Sequence, residues 1–150
     1  KSGKLDMIVT QNIDGLHQLA GNKKVCELHG SVNRNICQEC GRMYDLSVVL
    51  NSKGIIPHCP HCNGIIKPDV VLYQEPLDEN VMVKAMVSIS QADLLIVAGT
   101  SLVVYPASGF INYFQGKHLV LIDKDVNAKN SHADVIIHQK VGELFSLLKV

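Results

Sequence analysis

The sequence contains no tryptophan and only three Phe and four Tyr. Single-stranded nucleic acid is held on aromatic faces and by positive charge. Lys+Arg and Asp+Glu both total 14, a formal net charge of zero, and the densest basic piece is Asn22–Lys24. Neither feature is on offer, so a specific nucleic-acid partner is not expected. Long apolar runs are also lacking. The longest, such as "LLIVAG" at Leu94–Gly99, falls far short of the ~20 residues a membrane-spanning helix needs, and no membrane partner is expected. No secretory signal pattern is present, and Lys1 leads without an initiating Met into a strand-like segment, which reads as a chain cut from something longer. Internal repeats and low-complexity segments are absent as well.

What remains is a 150-residue chain, 47% hydrophobic, large enough to bury a core. It has five cysteines, and four of them form two CxxC pairs, Cys37/Cys40 and Cys59/Cys62, eighteen residues apart. Each CxxC places two thiolates on one tight turn, and two such turns complete a tetrahedral four-sulfur shell that suits one structural Zn2+. Without a secretion signal, a metal site is a better reading than disulfides, and the cytoplasm is the expected compartment. A closed shell leaves no open position for substrate. His58 and His61 then read as exposed turn residues.

Along the chain, Leu5–Val9, Val25–Leu28, Asp69–Tyr73, Asp93–Gly99, His118–Asp123 and Asp134–His138 have strand character. Asp14–Gly21, Leu77–Ala92, Pro106–Phe114 and Gly142–Leu148 read as helices. In Leu77–Ala92 the stripe Leu77, Val81, Ala85, Ile89, with Met82 and Met86, is a core-facing pattern. The uninterrupted apolar run Asp93–Gly99 predicts a strand buried on both faces. Strands alternating with helices argue an α/β class fold with a doubly wound parallel sheet, Rossmann-like, formed by residues 1–30 and 67–150. Residues 31–66 change texture and read as a small inserted zinc-binding lobe.

Ligands of open parallel sheets bind beyond the carboxyl ends of strands. "TQNIDGLH" (Thr10–His17) places Gln11, Asn12 and Asp14 there. "AGTSL" (Ala98–Leu102) adds Gly99, Thr100 and Ser101, a corner suited to phosphate. Asp123 ends "VLID", where an acid can hold a ribose hydroxyl. His29, followed by Gly30, is not needed as a metal ligand once four thiolates fill the shell. For a lone histidine at a strand end a packed structural role is the first reading and a catalytic base the alternative.

"TQNIDGLH", "ELHGS", the two CxxC pairs, "KPDVVLYQE" and "GTSLVVYPA", in this order and spacing, resemble the sirtuin family of NAD-dependent protein deacylases over essentially the whole chain. The resemblance implies NAD as co-substrate, one structural zinc, an acyl-lysine protein or peptide substrate, and the products nicotinamide and O-acyl-ADP-ribose. It makes His29 the general base. Gln11, Asn12 and Asp14 are implied at the nicotinamide ribose, and Gly99, Thr100 and Ser101 at the phosphates and the adenine-side ribose. Lys140 and Val141 are implied near the adenine, and Val71, Leu72 and Tyr73 as a strand pairing with the peptide. Three positions depart from the family: Asp123 stands where Asn is usual, Gln74 where Gly is common, and Cys26 where an aliphatic residue is usual. The family's opening "GAGxS" strand–turn–helix and its Arg-bearing cofactor loop do not occur, so a truncated N-terminus is expected.

Two other readings compete. One is an ADP-ribosyltransferase on the same fold. The other is a non-catalytic zinc-ribbon interaction module, which leaves "TQNIDGLH" and "GTSL" without a purpose.

Overall fold

The structure, a computed structural model, describes residues 3–100, 107–124 and 133–148. The chain divides into two compact units, Ile8–Met82 and Lys1–Met7 with Val83–Val150.

In the first unit, strand β1 (Ile8–Thr10) runs parallel to β2 (Val25–Glu27), with Val9 opposite Cys26. Between them lies the single-turn helix α1 (Leu16–Leu19). Cys26 is 3% exposed, with its thiol 3.5 Å from the Val81 carbonyl, and it acts as the small buried hydrophobe that the sequence suggests. An antiparallel sheet follows: β3 (Gly30–Cys37) is flanked by β4 (Met43–Asp45) and β5 (Ile66–Val70), with helix α2 (Ser47–Leu50) between β4 and β5. Cys37, Cys59 and Ile66 are buried together against Tyr44 and Val48. So small an apolar cluster is a weak core for a segment this long, which is the usual reason for a metal staple.

Asp69–Tyr73 was predicted as one strand, but β5 ends at Val70. The Leu72 N–H is taken by the Glu75 carboxylate (2.9 Å), and Glu75 N–H returns to the Leu72 carbonyl (3.0 Å), making a tight turn. Gln74 adopts φ 72 in that turn, a conformation glycine tolerates far better. The Leu72 N–H and then Lys67 hold the Glu75 carboxyl below its ordinary range.

Helix α3 (Glu79–Ser90) carries the predicted stripe from Val81 onward: Ala85 and Ile89 are buried, and Val81, Met82 and Met86 are half-buried, while Leu77 precedes the helix. The second unit then builds a parallel sheet in the order β6 (Leu94–Ala98), β7 (His118–Ile122), β8 (Val135–Ile137). β7 is the central strand, and Leu119, Leu121 and Ile122 are its buried residues. β6 departs from expectation. Among the described residues it borders β7 alone, and Leu94 and Ile96 are 49% and 43% exposed. A continuous apolar run marks a strand that can be covered on both faces; here one face stays open. The segment predicted as a helix at Pro106–Phe114 is a 3-10 helix at Ala107–Tyr113, where Ser108, Gly109 and Ile111 disfavour the α form. Helix α4 (Val141–Ser146) closes the described chain.

Among the described residues, no helix is long and apolar enough to cross a membrane.

Candidate functional site

In the Ile8–Met82 unit, three predicted groups meet at the carboxyl ends of β1 and β2. His29 follows β2, and its Nδ1 lies 3.0 Å from the Gln11 carbonyl oxygen. A carbonyl only accepts, so Nδ1 carries the proton and Nε2 keeps its lone pair for a base role. The loop after β1 is fixed from within: Asn12 N–H donates to Thr10 Oγ1 (3.1 Å), and Leu16 N–H to Asp14 Oδ1 (2.9 Å). Val71 N–H donates to the His29 carbonyl (3.1 Å), which puts the predicted peptide-binding segment beside the histidine. Leu72 and Tyr73 are exposed.

Gly30 makes this closeness possible. Its φ is 76, and a Cβ there would overlap the Asp69 carbonyl oxygen. Gly30→Ala is expected to cost at least about 2 kcal/mol, since left-handed backbone and a backbone clash add together. Equilibrium urea unfolding measures this, and an unchanged midpoint would contradict it.

The four cysteines converge as the spacing implies: their sulfur atoms all lie within 4.8 Å of one another. Cys37 and Cys62 Sγ are 3.5 Å apart, and Cys40 and Cys59 Sγ 3.7 Å. Tetrahedral zinc with ~2.3 Å bonds to sulfur needs sulfur pairs about 3.8 Å apart, so the cluster fits the ion. The Tyr44 hydroxyl lies 2.9 Å from Cys59 Sγ, a partner that nothing in the linear sequence signals. Burial opposes ionisation of Cys59, but the Tyr44 hydroxyl and the N–H groups of Cys62 and His61 outweigh it and bring the thiol down to about 6. Hydrogen bonding to Cys59 pushes Tyr44 up to about 12. The Gly64 N–H favours Cys62 thiolate, yet the Cys37 and Cys40 sulfurs push it up to about 12. Cys37 is lowered, chiefly by the Cys40 N–H. His58 and His61 are exposed, and His58 Nδ1 is 2.9 Å from the Asn63 carbonyl oxygen, so neither histidine belongs to the cluster. A groove of about 730 Å³ lies alongside Tyr44, Val48, Ile56 and His58, and none of the predicted cofactor residues lines it.

In the other unit, strand ends again gather predicted residues. Gly99 N–H donates to the Ile122 carbonyl (3.0 Å) and Asp123 N–H to the Ile137 carbonyl (3.2 Å), which aligns the ends of β6, β7 and β8. Gly99 has φ 64, and a Cβ there would touch the Val141 methyl at 3.8 Å. Gly99, Asp123 and Val141 therefore share one end of this sheet. Lys140 precedes α4 and pairs with Glu143 at 3.2 Å. Thr100 is half-buried, and Ser101 lies outside the described residues.

Comparison with known proteins places the chain in a family. Residues 1–106 match the model of the Sir2 family. A relative from Clostridium acetobutylicum named NAD-dependent protein deacetylase is 55% identical over 144 residues, 96% of this chain and 59% of the relative. One of the same name from Clostridium perfringens is 59% identical over 95% of this chain and 58% of the relative. The chain thus spans less than two thirds of the length of these relatives. Among solved structures, one described as the structural basis for sirtuin substrate affinity aligns with a TM-score of 0.86 at 36% identity, over 93% of this chain and 62% of the other. A Sir2–p53 peptide–NAD+ complex aligns at 0.85 and 36% identity, over 93% of this chain and 60% of the other. With the family model matching residues 1–106, well over half of this chain, the chain belongs to the Sir2 family.

Proposed function

We propose that the protein is an NAD-dependent protein lysine deacetylase in which His29 is the general base. One observation carries the reading: His29 Nδ1 is engaged by the Gln11 carbonyl, which leaves Nε2 as the basic atom beside the loop of Asn12 and Asp14. The relatives' name and the NAD and acetylated-peptide complexes of the solved neighbours support it. In this reading the acyl-lysine oxygen attacks the ribose carbon as nicotinamide leaves. His29 Nε2 then takes a proton from a ribose hydroxyl, whose oxygen bonds to the acyl carbon. Water adds to this adduct, the acyl carbon–nitrogen bond breaks, and lysine leaves as the free amine. The other products are nicotinamide and O-acyl-ADP-ribose. Gln11, Asn12 and Asp14 contact the nicotinamide ribose. Gly99, Thr100 and Ser101 hold the phosphates and the adenine-side ribose, with Asp123, Lys140 and Val141 toward the adenosine. Val71–Tyr73 bind the acyl-lysine peptide.

Residues 31–66 act as the zinc-bearing lobe, with Cys37, Cys40, Cys59 and Cys62 as ligands. Its role is structural, since four thiolates close the shell. Free cysteines gathered as metal ligands rather than disulfides are the usage of reducing compartments, which supports a cytoplasmic location. The test is turnover of an acetyl-lysine peptide by the full-length protein with NAD, with both nicotinamide and O-acetyl-ADP-ribose followed. Stoichiometric formation of both supports deacetylation. ADP-ribose on protein without loss of acetyl would replace it by ADP-ribosyl transfer.

A further inference from the structure

β3 does not pair evenly with β5. Gly30 faces Val70 and Ser31 faces Asp69, but the next pair is Asn35 with Pro68, so Val32, Asn33 and Arg34 bulge from that ladder. The bulge reaches the segments around His29. Val32 N–H donates to the Ile13 carbonyl (3.1 Å), and Asn33 Nδ2 to the Asp14 carbonyl (3.4 Å), both in the loop after β1. Arg34 extends in two directions. Its Nη1 donates to Glu27 Oε2 at 2.6 Å and its Nε to Asp69 Oδ2 at 2.9 Å. Glu27 lies two residues before His29, and Asp69 two residues before Val71, whose N–H bonds the His29 carbonyl. One guanidinium therefore ties together the two strands between which the histidine's main chain is held. The Glu27 side chain is only 9% exposed, and its other oxygen accepts from Gln18 Nε2 at 2.8 Å; the Arg34 and Asp69 side chains are each 40% exposed, so the Glu27 arm is the firmer of the two. The bulge persists at a cost: Asn35 gives Nδ2 to the Val32 carbonyl, while its Oδ1 is buried with no partner among the described residues.

We infer that Arg34 is a positioning residue for the deacetylation step, locking β2 to β5 so that His29 and the Val71–Tyr73 segment keep their mutual register. The inference rests on the proposed deacetylase reading. The planar fork of arginine reaches both carboxylates at once, and lysine would keep only one of them.

The experiment uses the full-length, zinc-loaded protein carrying Arg34→Met, Arg34→Lys, or Arg34→Met with Glu27→Gln. For each, kcat, KM for NAD and for acetyl-peptide, melting temperature and the 15N–1H signal of the His29 ring are measured. Arg34→Met should lower kcat about tenfold or more with KM for NAD changed less than about twofold, and should weaken the His29 Nδ1–H signal. Arg34→Lys should fall between it and wild type. Adding Glu27→Gln removes the unpaired buried carboxylate, so melting temperature should recover while kcat does not. Recovery of both together would reduce Arg34 to a structural role and overturn the inference. So would wild-type kcat with an intact His29 signal in Arg34→Met. If the wild-type protein does not deacetylate, the deacetylase reading fails, and the ring signal alone decides whether Arg34 positions His29.

Discussion

Replacing His29 with Ala should reduce deacetylation by about 10²–10⁴-fold or more in the full-length protein while leaving its melting temperature within a few degrees of wild type. The small structural cost follows from the geometry. The side chain is half-buried, and its ring makes a hydrogen bond to the Gln11 carbonyl, a contact worth about 1 kcal/mol in net stability. The large chemical cost follows from the same bond. By fixing the proton on Nδ1 it leaves Nε2 as the only basic nitrogen, and alanine supplies no substitute. Steady-state turnover and nicotinamide exchange separate the two halves of the reaction. In the proposed reaction His29 acts after nicotinamide has departed, so exchange should survive in His29→Ala while acetyl loss does not. A variant that turns over acetyl-peptide at the wild-type rate would remove His29 from the role of base.

Removal of the metal should have an effect of comparable size on folding. One zinc per chain is expected by elemental analysis, and a cobalt-substituted protein should show sulfur-to-metal charge-transfer absorption. Structural zinc in small modules contributes on the order of 10–16 kcal/mol, far more than three buried residues supply. Chelation, or Cys59→Ser, should therefore erase the native amide dispersion of residues across β3, β4 and β5. Cys59 is the informative choice because it is 2% exposed, packs against Ile66 and accepts the Tyr44 hydroxyl. Acid should release the metal, because ligation requires thiolates and protons compete for them. A dispersed spectrum for these strands after complete metal removal would show that the lobe folds without the ion.

The parts of this molecule legible in its sequence are those set by local spacing. Two residues between cysteines fix a turn, so the four-sulfur cluster was visible before any fold. A 3.6-residue stripe fixes a helix face, so Ala85 and Ile89 were placed correctly. The polar stretch after β1 was recognisable as a strand-end loop from its composition. The illegible parts are those decided by partners outside the stretch being read. Nothing near Arg34 reveals that Asp69, thirty-five residues on, completes its fork. Nothing in "DVVLY" shows that Glu75 folds back to take the Leu72 N–H and end the strand at Val70. The hydrophobicity of Leu94 and Ile96 shows what β6 can bury rather than what lies over it. The sequence pattern singles out the Gln11 side chain, yet it is the Gln11 main-chain carbonyl, a group every residue carries, that bonds the His29 ring.

The uneven pairing of β3 with β5 also bears on how such a chain can change over generations. Gly30 and Ser31 keep one alignment with β5, and Asn35 to Cys37 keep another, while residues 32–34 between them are anchored to Ile13, Asp14, Glu27 and Asp69. A change in the length of the cysteine-bearing turns therefore meets these anchors before it reaches Gly30 and His29. Variation in the metal-bearing lobe is expected to be tolerated where it leaves those anchors in place.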